Sequence, residues 1–98
     1  MGLTYKQKFN KKYGQPLNQS NSLKEISDKT GYKLSGLKVI QEKGEGAYFS
    51  APNSVRPHIK SPEEWGRARV YASVNKGSKS YQVDKSHLKL KKKNKDKK

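Results

Sequence analysis

A chain of 98 residues with 23 Lys and Arg against 8 Asp and Glu, a formal net charge of +15 and a 30% hydrophobic content has room for one domain at most, with a modest core. It has no cysteine, which excludes a disulfide framework and the usual zinc-finger ligand sets, and no apolar run approaches the roughly 18 residues that a membrane span needs. So positive a molecule repels itself unless an anion neutralises it, and nucleic acid is the commonest such anion.

Residues 1–21 are polar and basic and carry no apolar leader region, so the reading is of a protein that is neither secreted nor membrane-spanning. Tyr5, Phe9, Tyr13 and Leu17 recur every four residues and on a helix form one stripe, flanked by Lys6, Lys8, Lys11 and Lys12. This predicts either a short helix that docks its aromatics on a small core or a basic arm that folds along DNA. Gly14, Pro16 and the polar run Asn18 to Asn21 break it.

Ser22 and Glu25 make the Ser-x-x-Glu capping box that starts a helix, and Gly31 ends it. From Leu23 to Ile40 the small or apolar residues Ile26, Ser27, Tyr32, Leu37 and Ile40, with Gly31 at the bend, follow the spacing of a helix-turn-helix. Two short helices that cross steeply need a small residue where the backbones approach and a glycine where the turn takes a positive φ, and Ser27 and Gly31 supply them. Ser35 is placed to cap the second helix, with Leu34 meeting Val39 as a hydrophobic staple, and the helix is expected to stop near Lys43 at Gly44.

The next stretch, with Gly44, Gly46, Pro52 and Pro57, predicts a long ordered loop over about 44–60. Ser61 as cap, Pro62 at the first helical position and Glu63 and Glu64 in the first turn give the strongest start signal in the chain. On that helix Trp65, Ala68 and Ala72 share one face and Val70 and Val74 the other, which predicts a central helix with Trp65 as core anchor, ended by Gly77. Ser80 to Leu90 reads as a short strand or as a final helical turn capped by Asp84. The lysine-rich end cannot fold alone. The expectation is a mainly α, small helical domain with a helix-turn-helix core and a disordered basic tail. Its parts are a basic arm or short helix over 1–21, the domain over 22–90 and the tail over 91–98.

Chemistry is thin. The acidic residues sit mostly in caps and on helix surfaces and form no catalytic pair, His58 and His87 lie far apart, and Lys43-Gly44-Glu45-Gly46 lacks the spacing of a phosphate-binding loop. The reading is of no enzyme, no cofactor, no metal site and no small-molecule substrate. Binding has more support, because the second helix of a helix-turn-helix enters the major groove with its N-terminal residues nearest the bases. Lys33, Ser35, Lys38, Gln41 and Lys43 are the candidates there. Lysine favours phosphate over a fixed base edge, and Gln41 alone suits bidentate adenine reading, so sequence specificity should be weak. Arg67 can pair with Glu63, and Arg56 with Glu63 or Glu64 or with a phosphate. Arg69 lacks a local partner and is assigned to the interface, with Lys91, Lys92 and Lys93 adding phosphate contacts. DNA is favoured over RNA.

The runs YKQKFNKKYG, SLKEISDKTGYKLSGLK, KGEGAY, SVRP and SPEEWGRARVYASV, with Val83-Asp84 and His87-Leu88, resemble as a set an uncharacterised family of small basic domains associated with large DNA viruses of algae and protists and with marine phages. The likeness covers about residues 5–90. It departs at Asn75, Lys76 and Gly77, where relatives carry further small residues. The resemblance implies a viral origin and transfers no activity or site. It makes a genome-associated protein the first expectation and a minor capsid or cement protein the alternative, with capsid or other virion proteins as partners and Tyr48 and Phe49 as the docking aromatics if they are exposed.

Overall fold

The computed structural model describes residues 2–50 and 61–90, and it is mainly α. Helix α1 spans Tyr5–Lys12, α2 Leu23–Thr30, α3 Leu34–Ser50, α4 Pro62–Ser73 and α5 Lys79–Asp84, followed by a single 3-10 turn over Lys85–His87. The described residues contain no strand; their one β feature is an isolated antiparallel bridge between Tyr32 and Leu90. No described helix is long and apolar enough to cross a membrane. The segments 51–60 and 91–98 lie outside the described residues, and with them the expected loop beyond Ser50 and the basic tail.

Local chemistry sets most helix starts. Thr4 and Gln7 form a capping box on α1, Ser22 and Glu25 form one on α2, and Ser61 caps α4 ahead of Pro62. In each, a short side-chain oxygen accepts a hydrogen bond from an N–H that the helix itself leaves unsatisfied. Gly31 closes α2 at φ +82°, a left-handed conformation that glycine adopts without steric cost, and the Ser27 hydroxyl donates to the Tyr32 carbonyl across the turn at 2.6 Å. The helix-turn-helix spacing thus folds as α2, a three-residue turn and α3. Ser35 does not cap α3, which already begins at Leu34, and Val39 is exposed rather than stapled.

Helix α3 runs seven residues past the expected stop, straight through Gly44 and Gly46. The reason is tertiary. A Cβ on Gly44 would stand 2.8 Å from the Gly66 Cα, and one on Gly66 would stand 2.6 Å from the Gln41 carbonyl oxygen. The two glycines let α3 and α4 cross at nearly backbone contact, and the packing gained there exceeds the roughly 1 kcal/mol by which glycine disfavours a helix interior. The face α3 buries is Leu37, Ile40, Gln41 and Gly44, spaced i, i+3, i+4 and i+7.

Helix α4 is central, packed against α1, α3 and α5. The core gathers Phe9, Ile26, Tyr32, Leu37, Ile40, Val70, Tyr71 and Leu88. Trp65 is not among them. The side of α4 that meets α3 carries Gly66, Val70 and Ser73, which leaves Trp65 half-buried on the rim of a groove of about 720 Å³ that also borders α1. Helix α4 ends at Ser73, four residues before Gly77. Helix α5 replaces the strand alternative over its first half, capped by Ser78, and Asp84 makes no cap hydrogen bond.

Helix α1 docks as the aromatic stripe predicts, with Phe9 buried against Tyr13 and edge-on to Tyr71. Leu17 falls off the stripe because Gly14 turns the chain at φ +69°. Beneath α1 lies a polar network that holds the 13–21 connection. Asn10 donates to the carbonyls of Leu17 and Gln19, Asn21 donates to the Asn10 side chain at 2.9 Å, and both the backbone N–H and the side-chain amide of Asn21 donate to the Tyr71 hydroxyl. Asn10 and Asn21 are fully buried, so removing the shared acceptor leaves donors without water. Tyr71→Phe is expected to lower stability by about 1–3 kcal/mol in urea unfolding. A loss below about 0.5 kcal/mol would mean that Asn21 finds another partner.

Candidate nucleic-acid interface

The C-terminal part of the domain completes the helix-turn-helix. The Lys33 N–H donates to the Lys89 carbonyl at 2.7 Å, Tyr32 bridges Leu90, and the buried Leu88 enters the core. Gly36 sits against the His87 backbone so closely that a Cβ there would overlap the His87 carbonyl oxygen. Residues 85–90 therefore lie along the start of α3. Lys33, Ser35 and Lys38 are exposed at the beginning of α3, and Lys85 and Lys89 are exposed on the segment packed beside it. Glu42, one turn beyond Lys38, is the exposed carboxylate of the same helix surface. Leu90, at the root of the lysine run that contains Lys91, Lys92 and Lys93, is tied to the turn itself. Those three lysines lie outside the described residues.

The other sequence candidates are occupied within the fold. Gln41 points inward, accepting from Arg67 Nε at 2.8 Å and donating to Glu45 at 3.0 Å, so it is not offered to a base edge. Arg67 does not turn back to Glu63; its second contact is to the Asn21 carbonyl at 2.5 Å, which ties α4 to the loop before α2. Arg69, expected to lack a partner, has one in Asp84. Its Nε and Nη2 donate to the two carboxylate oxygens at 3.0 Å each. Lys43 donates to the same carboxylate at 3.0 Å and Ser73 at 2.7 Å. Asp84 is fully buried, and this single carboxylate joins α3, α4 and α5.

Burial alone would raise the Asp84 pKa, but the hydrogen bonds from Arg69, Ser73 and Lys43 and the Arg69 charge outweigh it and hold the carboxyl well below the usual carboxylate range. Charge-assisted, two-point pairing of this kind fixes geometry as well as charge, so Arg69 and Lys43 act as structural cations. The Lys24–Asp28 pair on the surface of α2, 3.6 Å apart and well exposed, contributes little by comparison. Among the described residues no three His, Asp or Glu side chains gather as metal ligands would.

Two of these arrangements were within reach of the sequence. Asp84 is the only acid between Glu64 and Asp96, in a stretch that holds both Arg67 and Arg69, and a lone carboxylate among cations is the natural partner of a half-buried arginine. Gln41 stands four residues after Leu37 and so shares its buried face of α3.

Comparison with known proteins places nearly the whole chain. Residues 3–97 match the family described as "Family of unknown function (DUF5824)". The chain belongs to that family. No curated protein and no solved structure matches it. The DUF5824 match runs over α1, the helix-turn-helix, the α4–α5 pair and most of the lysine-rich end, so the clamp of residues 85–90 on α3 and the basic run beyond it lie within the same family unit.

Proposed function

We propose that this chain is a nucleic-acid-binding protein of low sequence specificity, acting on duplex DNA through the start of α3 and the lysine-rich segment that follows Leu90. The observation that carries this reading is the contact between the turn and residues 85–90, which brings Lys89 beside Lys33 and sets Leu90, the residue before the lysine run, beside Tyr32 in the turn that leads into α3. Lysines dominate this surface, and ammonium groups follow phosphates rather than base edges. The inward turn of Gln41 removes the side chain best suited to read adenine, which supports weak specificity. Binding, not catalysis, is the proposed role, within a cell or a virion.

The test is affinity for a short duplex across a salt series. Lys33→Glu with Lys38→Glu should weaken binding more than tenfold and flatten the dependence on log salt by about 0.9 for each phosphate no longer neutralised, with the thermal midpoint unchanged. If only Lys91→Gln, Lys92→Gln and Lys93→Gln together reduce affinity, the folded domain is not the docking surface.

A second reading is a structural component of a virion whose basic segment contacts DNA or an acidic protein surface. It is favoured by Phe49, which is 71% exposed at the end of α3 with Tyr48 edge-on at 5.5 Å, an arrangement suited to docking on another protein.

A further inference from the structure

A second basic site lies away from the helix-turn-helix turn. Helix α1 and the chain leaving α4 enclose a cleft of about 270 Å³, just under the lower end of the range for small-molecule pockets. Its walls bring together Tyr5, Lys8, Lys12 and Tyr13 from α1 and its cap with Asn75 and Lys76 from the turn after α4. No carboxylate lines it among the described residues.

The three lysines have a local use, since α1, α2 and α4 all end at this cleft and cations offset the negative end of a helix dipole. That use does not exhaust them. Lys11 and Lys12 already stand in the last turn of α1 and Lys29 in that of α2, so Lys8, a turn earlier on α1, is not taken up by a helix end. The Lys8 ammonium rests 5.1 Å from the centroid of the Tyr5 ring and the Lys12 ammonium 5.6 Å from that of Tyr13. An ammonium attracted to a ring face keeps its full charge for a phosphate, and an aromatic face is one on which a base can stack.

We infer that this cleft binds one nucleotide, its phosphate on Lys8, Lys12 and Lys76 and its base against Tyr5. A paired base in a duplex offers no such face, so the ligand is a single-stranded segment or a free nucleotide. The site is separate from the α3 surface and rests on the proposed nucleic-acid function only for the choice of ligand class.

Titration of the full chain with thymidine 5′-monophosphate, followed by amide NMR shifts, decides the matter. Shifts are expected at Tyr5–Tyr13 and Val74–Gly77. Inorganic phosphate should move the same amides at higher concentration, and thymidine should move none. Lys8→Glu with Lys76→Glu, both at exposed positions, should weaken the monophosphate at least tenfold with an unchanged thermal midpoint. Tyr5→Leu should weaken the monophosphate several-fold and leave inorganic phosphate unaffected. An oligothymidylate of eight nucleotides that loses affinity in parallel identifies the source as a strand, and one indifferent to Lys8 and Lys76 identifies it as a free nucleotide. Monophosphate shifts that spread along α3, or that are absent, overturn the site while leaving the duplex-binding test at Lys33 and Lys38 intact.

Discussion

Asp84→Ala lowers stability by about 3 kcal/mol, the low end of what is lost when one member of a buried ion pair is removed. The low end applies because Arg69 and Lys43 are partly exposed and recover some hydration once the carboxylate is gone, whereas Asp84 itself has no solvent access. For a domain of this size that is a fall of about 12 °C or more in thermal midpoint. The same residue gives the fold a direction in pH. Its native pKa is depressed below the unfolded value near 3.9, so the folded state binds fewer protons there than the unfolded state. The contribution of Asp84 is therefore complete above the ordinary carboxylate range and declines as pH falls through that range toward the native value. Between about pH 4 and pH 2 the wild-type midpoint should fall more steeply than that of Asp84→Ala, and the two curves should converge. Parallel curves over this range, or a midpoint unchanged at pH 7, would show that Arg69 and Lys43 are held by something else.

Gly66→Ala destabilises by about 2 kcal/mol even though alanine is the better helix former. The added methyl meets the Gln41 carbonyl oxygen at 2.6 Å and its Cγ at 2.8 Å, and backbone cannot step aside as a flexible side-chain end can. Helices α3 and α4 must then separate at their closest point, which loosens Val70 and Ile40 behind it. Gly46→Ala is the matched control. Gly46 lies in the same α3, nothing among the described residues approaches its added Cβ within 4 Å, and the substitution should stabilise by up to about 1 kcal/mol through helix propensity alone. Denaturant midpoints moving in opposite directions support the crossing. Equal movement would mean that the glycines matter only for their backbone freedom.

The sequence was legible at most places where the deciding contact is local, Ser35 and the Leu34–Val39 staple being exceptions because α3 already starts at Leu34. Ser22, Ser61 and the Ser27–Gly31 turn read correctly because a cap or a positive-φ bend is settled within four residues. Gly44 misread for the opposite reason: nothing near it in sequence says that Gly66 will lie against it, and a glycine without a known partner reads as a stop. The stop at Gly44 cuts α3 short, and Gln41 is a separate case: it stands one turn from Leu37 on the buried face, but a polar side chain reads as outward. Trp65 misread because size was taken for depth, whereas depth on α4 goes to the side with the smallest residue, Gly66. Of the interface candidates, Lys33, Ser35 and Lys38 are exposed as expected, while Lys43 and Arg69 close the fold around Asp84.

The hydrogen bond between Lys33 and Lys89 also sets an order of events during synthesis. Roughly 56 residues separate its partners, so at about 5–20 residues per second the turn waits about 3–11 s for the segment that finishes it. Until then Gly36 has no backbone against it and the Tyr32–Leu88 side of the core stands open. The part of the chain that most resembles a ready-made DNA-binding unit is thus the last to close on a nascent polypeptide, and α2 with α3 cut out alone would reproduce that unfinished state rather than the native surface.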